Sequence, residues 1–322
     1  MATIGSLSIG AVVKSLGTTY NGAVIRWKIG HQDTSKGRTK LITERIITLK
    51  CFDAIEASNP DSNRKQYGNN RYSVSNIDQW LNSAAGAGAW YSKRHDYDAP
   101  PTNANVWSNY NEYDAEAGFL SNFEEAFRNA ILDTTIRVAK NTVTDGGGYE
   151  DITRKVYLLS RTEVGLGNEN NIAEGSKWSL FSNDNSRKAY PTAEAVSRSE
   201  YTHSNLNASS PWHWWLRTPN AGDSSYARGV DKDGTLSNLS ACSGGWGVRP
   251  ALEVPLTVMV SDDRDIDGAY IMQFGSEGTV PKLYIMVDGE IKMYTKGWVK
   301  VDGELREIDK VRVKVDGELK EI

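Results

Sequence analysis

The order of apolar and polar positions divides the chain into two unlike parts. From Ser8 to about Leu256, short alternating runs mix with two helical stripes; from Lys282 to Ile322 a fourteen-residue pattern recurs. Val24-Ile25-Arg26-Trp27-Lys28-Ile29 alternates as a half-buried strand does, and 39–42 and 46–52 read as its antiparallel partners, giving a small N-terminal sheet over 8–56. Ser75 precedes Ile77, Trp80 and Leu81, spaced i, i+3, i+4, which predicts a helix near 75–85 with Ser75 as N-cap and Gly86 as its stop. A second helix is predicted over 121–132. There Phe123, Ala126, Phe127, Ala130 and Ile131 share one face, and Glu124 and Glu125 sit in the first turn, where negative charge suits the helix dipole. Strands at 136–139 and 155–159 are expected around a Gly146-Gly147-Gly148 turn, and 165–210 has little periodicity, as a functional loop would.

The densest apolar run is Pro211-Trp212-His213-Trp214-Trp215-Leu216-Arg217-Thr218-Pro219, answered later by Gly247-Val248-Arg249-Pro250-Ala251-Leu252. In a strand, Trp212, Trp214 and Leu216 would share one face and His213, Trp215 and Arg217 the other, so both faces must be covered. Trp27, Trp80, Trp214, Trp215, Arg217 and Arg249 are therefore assigned to the structural core. A guanidinium buried there needs a carboxylate or carbonyls; Glu163 and Glu253 are the candidate partners, and anion binding is the minority alternative. The bracketed segment 220–246 is rich in Gly, Ser, Asn and Asp. Within it, Asp231-Lys232-Asp233-Gly234 lies between strand-like 227–230 and 235–239. The segment lacks the spacing of an EF-hand, so a hairpin turn explains it better than a cation loop. No metal site is expected.

Val287-Asp288-Gly289-Glu290, Val301-Asp302-Gly303-Glu304 and Val315-Asp316-Gly317-Glu318 form the repeat, each Asp-Gly flanked by alternating residues. This predicts β-hairpin repeats over 282–322. Such hairpins have exposed edges and suit pairing with another chain or packing on the main domain. The acidic, polar stretch beginning at Ser261 reads as a linker over 261–281, leaving 1–260 as the principal domain.

With 39% hydrophobic residues, 24% charged residues and a net charge of −4, the chain reads as soluble and globular, without the basic face nucleic acid requires. No run is long enough to span a membrane, and the N-terminus does not resemble a signal peptide. The two cysteines, Cys51 and Cys242, are far apart in sequence and read as separate reduced thiols. Ten Trp and fifteen Tyr against six Phe, with Asn and Ser in the loops, is the composition of binding loops.

Trp214-Trp215-Leu216-Arg217-Thr218-Pro219 followed by Gly247-Val248-Arg249-Pro250-Ala251-Leu252 resembles a widespread bacterial and phage domain of unknown function, whose hallmark is WWLRSP followed by GVRPAL. Ile25-Arg26-Trp27, 77–82, 155–164 and Pro191-Thr192-Ala193 also match it, over roughly Ser8 to Leu256; Thr218 stands for the usual Ser. The resemblance implies an α+β, C-type-lectin-like domain, similar to formylglycine-generating enzymes and to the variable proteins of diversity-generating retroelements. The cysteine pair of the former is not evident, and none of His31, His95, His203 and His213 belongs to a recognisable hydrolytic motif, so no enzyme and no cofactor are expected. The expected role is a virion structural protein of a phage or phage-tail-like particle (tail, baseplate or fibre). It would be a homo-oligomer, joined to other virion proteins through the repeats, that displays 165–210 and 220–246 to a host-surface glycan or protein. Candidate contacts are Asn220, Asp223, Ser224, Tyr226, Asn238, Ser240 and Trp246, with Trp178 and Tyr201 from the longer loop. The alternatives are a decoration protein without a receptor and a cellular protein-interaction module.

Overall fold

The structure, a computed structural model, describes residues 2–274 throughout and, beyond them, the backbone of six short strands between Leu283 and Glu321. Two units are distinguished, Met1–Phe274 and Gly275–Ile322. In chain order the strands of the first are Ala2–Thr3 (β1), Val12–Tyr20 (β2), Ala23–Asp33 (β3), Arg38–Thr43 (β4), Thr48–Leu49 (β5), Thr134–Ala139 (β6), Tyr149–Arg154 (β7), Val156–Tyr157 (β8), Trp214–Pro219 (β9), Tyr226–Val230 (β10), Leu236–Ser240 (β11), Gly247–Val248 (β12), Ala251–Pro255 (β13), Met259–Val260 (β14) and Tyr270–Gln273 (β15). The α-helices among the described residues are short: Ser62–Tyr67 (α1), Asn76–Leu81 (α2), Glu125–Ala130 (α3), Asp184–Arg187 (α4) and Ala193–Ser197 (α5). Few short helices against mixed and antiparallel sheets make this an α+β to mostly-β architecture.

One sheet runs β1-β14-β15-β2-β3-β4-β13-β8, antiparallel except where β15 joins β2, and the other runs β11-β10-β9-β12-β5, with β12 parallel to β9. The two signature runs tie these sheets together. All six residues of β9 are buried, and the indole N–H groups of Trp214 and Trp215 donate to Arg187 O at 3.0 Å and Lys50 O at 2.9 Å. Gly247-Val248 belongs to the second sheet and Ala251 opens a strand of the first, so Arg249-Pro250 is the corner where the chain crosses between them. Proline suits a corner because no ladder needs its missing N–H; its carbonyl accepts from Thr43 N–H at 3.0 Å.

Several expectations are corrected. The N-terminal strands do not form a sheet of their own. β2, β3 and β4 lie within the eight-stranded sheet, while Thr48–Leu49, buried on both sides, pairs with Gly247–Val248 in the other. The partner of β6 around the glycine turn is β7, with Thr134 opposite Arg154; β8 pairs with β13 instead. The first predicted helix is shorter than 75–85. Ser75 caps it, accepting from Asp78 N–H at 3.4 Å, but it ends at Asn82, whose side chain is drawn away to Val156 O at 2.8 Å and to the N–H of Lys155 at 3.0 Å. The second spans Glu125–Ala130 behind a separate 3-10 turn at Phe119–Asn122. Glu124 is its N-cap residue, and its carboxylate accepts from Ser15 on β2 rather than serving the first turn. The stretch 261–274, expected as linker, supplies β15, anchored by Lys14 ion pairs to Asp265 at 2.6 Å and Asp267 at 2.8 Å, so the boundary falls after Phe274.

The second unit contains three antiparallel strand pairs: Leu283–Val287 (β16) with Glu290–Tyr294 (β17), Trp298–Val301 (β18) with Glu304–Glu307 (β19), and Arg312–Val315 (β20) with Glu318–Glu321 (β21). The predicted turns Asp288-Gly289, Asp302-Gly303 and Asp316-Gly317 lie outside the described residues.

The polar centre of the first unit surrounds Arg217. Its Nη1 donates to Glu163 Oε2 at 2.6 Å, and carbonyls of Arg137, Leu158 and Glu174 take three more of its protons. Glu163 is thus its carboxylate partner, whereas Glu253 bonds Tyr157, Arg38 and Lys40. Beside it, fully buried Glu174 accepts from Ala139 N–H at 3.0 Å and from the Thr218 hydroxyl. Burial outweighs the pull of Arg217 and raises its carboxyl to about 6. An acid whose pKa is higher folded than unfolded stabilises most when protonated. Its contribution is complete below about pH 4.5 and is lost as pH rises through about 6, a change of about 2 kcal/mol. Glu174→Gln keeps both contacts if the Thr218 hydroxyl turns to accept. Denaturant unfolding at pH 4 and pH 7 should show this variant losing about 2 kcal/mol less than the parent over that interval; equal losses would contradict the assignment.

Candidate functional site: an aromatic groove

Where β9 begins, five loop segments meet around a cavity of about 310 Å³. Trp212 and His213 come from the approach to β9, Lys232 from the β10–β11 turn, and Ser243 to Trp246 from the turn into β12; Tyr201 and His203 follow α5, and Trp107 lies in a 3-10 turn at Trp107–Asn109. Hydrogen bonds fix these loops. Trp212 Nε1 donates to Gly245 O at 2.9 Å, Gly247 N–H to His213 O at 2.9 Å, and Trp107 N–H to Cys242 O at 2.9 Å.

The rings form two banks. Trp246 packs on Trp215 with centroids 4.5 Å apart and stacks on His213 at 5.3 Å, nearly parallel at 7°. Tyr201 stacks on His203 at 6.4 Å, both tilted against Trp212. Trp246 and Trp212 are almost buried, at 6% and 4% exposure, whereas Trp107 is 53% exposed. His213 Nδ1 lies 3.3 Å from Asp231 Oδ1, yet burial leads and holds the imidazole below its ordinary pKa, so it is neutral at neutral pH. The groove is therefore an apolar, aromatic-walled slot with hydroxyl, imidazole and ammonium groups at its margin, which is the composition of a small-ligand pocket.

The residues predicted from sequence are dispersed. Tyr201 and Trp246 line the groove. Trp178 does not face solvent: it is 1% exposed beneath Lys40, whose ammonium lies 5.9 Å from its ring centre. Ser224 is fully buried and donates to Asp61 at 2.7 Å. Asp223 folds its own turn, accepting from Ser225 and Tyr226 N–H groups at 2.7 and 2.9 Å, and Asn220 and Asn238 hold Arg228. Tyr226 and Ser240 face each other across the β10–β11 ladder, away from the lining. The expected core residues Trp27, Trp80, Trp214, Trp215 and Arg217 are all buried, and Arg249 is 2% exposed. Trp107, Trp212, His203, His213 and Lys232 were missed. Trp107 carried a signal, a large ring in an Asn-rich stretch that also holds Tyr110 and Tyr113.

Asp231 and Asp233 serve the hairpin turn, accepting from Lys232 N–H at 2.6 Å and Thr235 N–H at 2.9 Å. Among the described residues no group of three His, Cys, Asp or Glu side chains is arranged to hold a metal. Cys51 and Cys242 are less separate than their numbering implies, because Phe52 and Asp53 N–H both donate to Ala241 O, at 2.8 and 3.0 Å. Both thiols are free and buried, and burial pushes that of Cys242 up to about 12, so neither is a thiolate at neutral pH.

No helix among the described residues is long and apolar enough to cross a membrane. No curated protein and no solved structure matches the chain. A family described as "Domain of unknown function (DUF6273)" matches residues 36–256, which include the whole β11-β10-β9-β12-β5 sheet, strands β4, β13 and β8 of the other sheet, and the groove. The match covers well over half of the sequence, and the chain belongs to that family.

Proposed function

We propose that the chain is a non-enzymatic binding component of a phage or phage-tail-like particle, in which a C-type-lectin-like first unit takes a host-surface carbohydrate in the aromatic groove. The observation that carries the reading is the groove itself: an exposed ring, Trp107, lines one cavity with the Tyr201 and Trp212 rings, in a slot large enough for one or two sugar rings. Sugar faces present C–H groups that pack on aromatic rings, while Ser243, His203 and Lys232 supply hydrogen bonds at the edge. The particle setting draws support from the resemblance of the signature runs and from the repeats, whose strands would attach the first unit to other virion proteins or to further copies of the chain.

The test is binding of the full chain to a panel of defined oligosaccharides, followed by titration calorimetry. Trp107→Ala removes a ring that is not part of the core, so affinity should fall about tenfold or more, while unfolding free energy changes by no more than about 0.5 kcal/mol. Failure to retain any carbohydrate, or retention unaffected by Trp107→Ala, would overturn the reading. Immunogold labelling of particles tests the setting separately.

A further inference from the structure

Glu163 uses only half of its carboxylate. Oε2 accepts from both Arg217 Nη1 at 2.6 Å and Ser160 N–H at 2.9 Å, whereas Oε1 accepts nothing among the described residues. The side chain keeps 6% of its surface exposed, and Oε1 is not closed off from water. Glu163 and Arg217 line a polar cavity of about 410 Å³, set between the end of β3, β4, β6 and the segment from Glu174 to Ser176. Neither residue lines the aromatic groove. Gly175 leaves the oxygen uncovered: a Cβ there would lie 2.9 Å from Oε1 and 3.1 Å from Cγ of Glu163, and its φ of +118° is one that side chains disfavour. Gly175 and Ser176 are both exposed, so little side chain stands between solvent and the carboxylate.

The other buried carboxylates of the lining are occupied. Glu253 accepts from Tyr157 and lies 3.2 and 3.3 Å from Arg38 and Lys40, while Glu174 accepts from Ala139 N–H and the Thr218 hydroxyl. Arg137 is paired with Asp151 at 3.0 Å, and His31 Nδ1 is bonded to Ser179 Oγ at 2.9 Å. Burial, joined by the charge of Lys40, holds His31 below its ordinary pKa, so it is neutral at neutral pH. Glu174, with its pKa raised to about 6, is largely ionised there. At the inner end one guanidinium, Arg217, therefore stands against two carboxylates, Glu163 and Glu174, which leaves one negative charge over. At the rim Lys36 is 71% exposed, and its ion-pair partner Asp33 lies 4.0 Å away, beyond hydrogen-bond reach.

We propose that this cavity is a second binding site of the first unit, for a small amine whose ammonium group donates to Glu163 Oε1. A free carboxylate oxygen and a surplus negative charge both select an N–H donor that carries positive charge, and a charge-assisted bond of this kind is among the strong ones. The same carboxylates repel an anion. Lys36 at the rim suits an acidic group at the far end of the ligand, which makes short amino acids the fitting class alongside simple amines. Glu163 then serves two partners, Arg217 inward through Oε2 and the ligand outward through Oε1. The site does not depend on the carbohydrate reading.

The experiment follows the backbone amide signals of the full ¹⁵N-labelled chain at neutral pH during titration with γ-aminobutyrate, n-butylamine and butyrate. The two amines should shift the N–H signals of Ser160, Gly175 and Ser176 saturably, and butyrate should not. Tighter binding of γ-aminobutyrate than of n-butylamine assigns the ligand to amino acids held at the rim by Lys36; equal or weaker binding assigns it to amines without an acid. Glu163→Gln, with its amide oxygen on Arg217 and Ser160, puts an NH2 group where Oε1 stands and should weaken binding about tenfold or more. Gly175→Ala leaves Arg217 its partner and should weaken binding by crowding the same oxygen; it carries the test if Glu163→Gln does not fold. Saturable binding of butyrate at these signals, unchanged affinity in either folded variant, or no saturable shift with either amine would overturn the proposal.

Discussion

Glu163→Ala is expected to lower the unfolding free energy of the first unit by about 3–5 kcal/mol, the usual cost of stripping a buried charge of its partner. The carboxylate accepts from Arg217 Nη1 at 2.6 Å and from Ser160 N–H at 2.9 Å, and both residues of the ion pair are almost wholly shielded from water. Alanine leaves Arg217 its three carbonyls, which solvate the guanidinium without neutralising it. Both bonds fall on Oε2, so Glu163→Gln with its amide oxygen in that place keeps both and loses only the charge, and it should cost roughly half as much. Denaturant titrations following tryptophan fluorescence measure both. A loss under about 1 kcal/mol for the alanine variant would mean that Arg217 does not depend on Glu163. Arg217 joins β9 to three separate segments through the carbonyls of Arg137, Leu158 and Glu174, so the effect should be global.

Gly229→Ala should destabilise the fold by about 3 kcal/mol and disable the groove together. A methyl at this position of β10 would lie 2.0 Å from Trp246 Cζ3 and 2.7 Å from the backbone oxygen of Trp214. Moving the indole relieves the first clash but not the second, which requires β9 and β10 to part. If the ring does move, it loses its packing on Trp215 and its stack on His213, the bank that forms one side of the cavity. Thermal unfolding and carbohydrate binding should therefore decline in parallel, unlike Trp107→Ala, where binding alone should fall. An alanine variant with parental stability and intact binding would show that the close approach of Trp246 to Gly229 is not maintained.

Much of the local structure was legible because it rests on short-range patterns. Alternation in 24–29, the apolar density of 214–219 and the Asp-Gly between 227–230 and 236–240 each reported an element that forms. Pairing was not legible. β15 lies parallel to β2 across some 250 residues of chain, and Thr48–Leu49, buried on both faces, carries no alternation to declare its sheet. The corner at Arg249-Pro250 was hidden for the same reason, since a single apolar run supplies strands to two sheets.

The candidate site was legible in place more than in residue. Loops 165–210 and 220–246 do converge on the groove, but composition could not tell an Asn or Asp that binds a ligand from one that holds a turn. Asp223 and Asn238 do the latter. Nor could it distinguish Trp178, buried beneath Lys40, from Trp246, whose edge lines the slot. The aromatic banks depend on side chains from four separated segments meeting, and no single window contains them.

The central claim, that ligand recognition occurs in the aromatic groove, is tested most directly by following the indole N–H signals of the folded chain in ¹⁵N-resolved NMR during titration with a retained oligosaccharide. The signals of Trp107, Trp212 and Trp246 should shift together and saturably, while those of Trp80, bonded to Ala117 O, and Trp90, bonded to Tyr113 O, remain in place. Saturable binding that leaves the three groove indoles unmoved, with changes confined to the Asn220–Tyr226 turn, would contradict it.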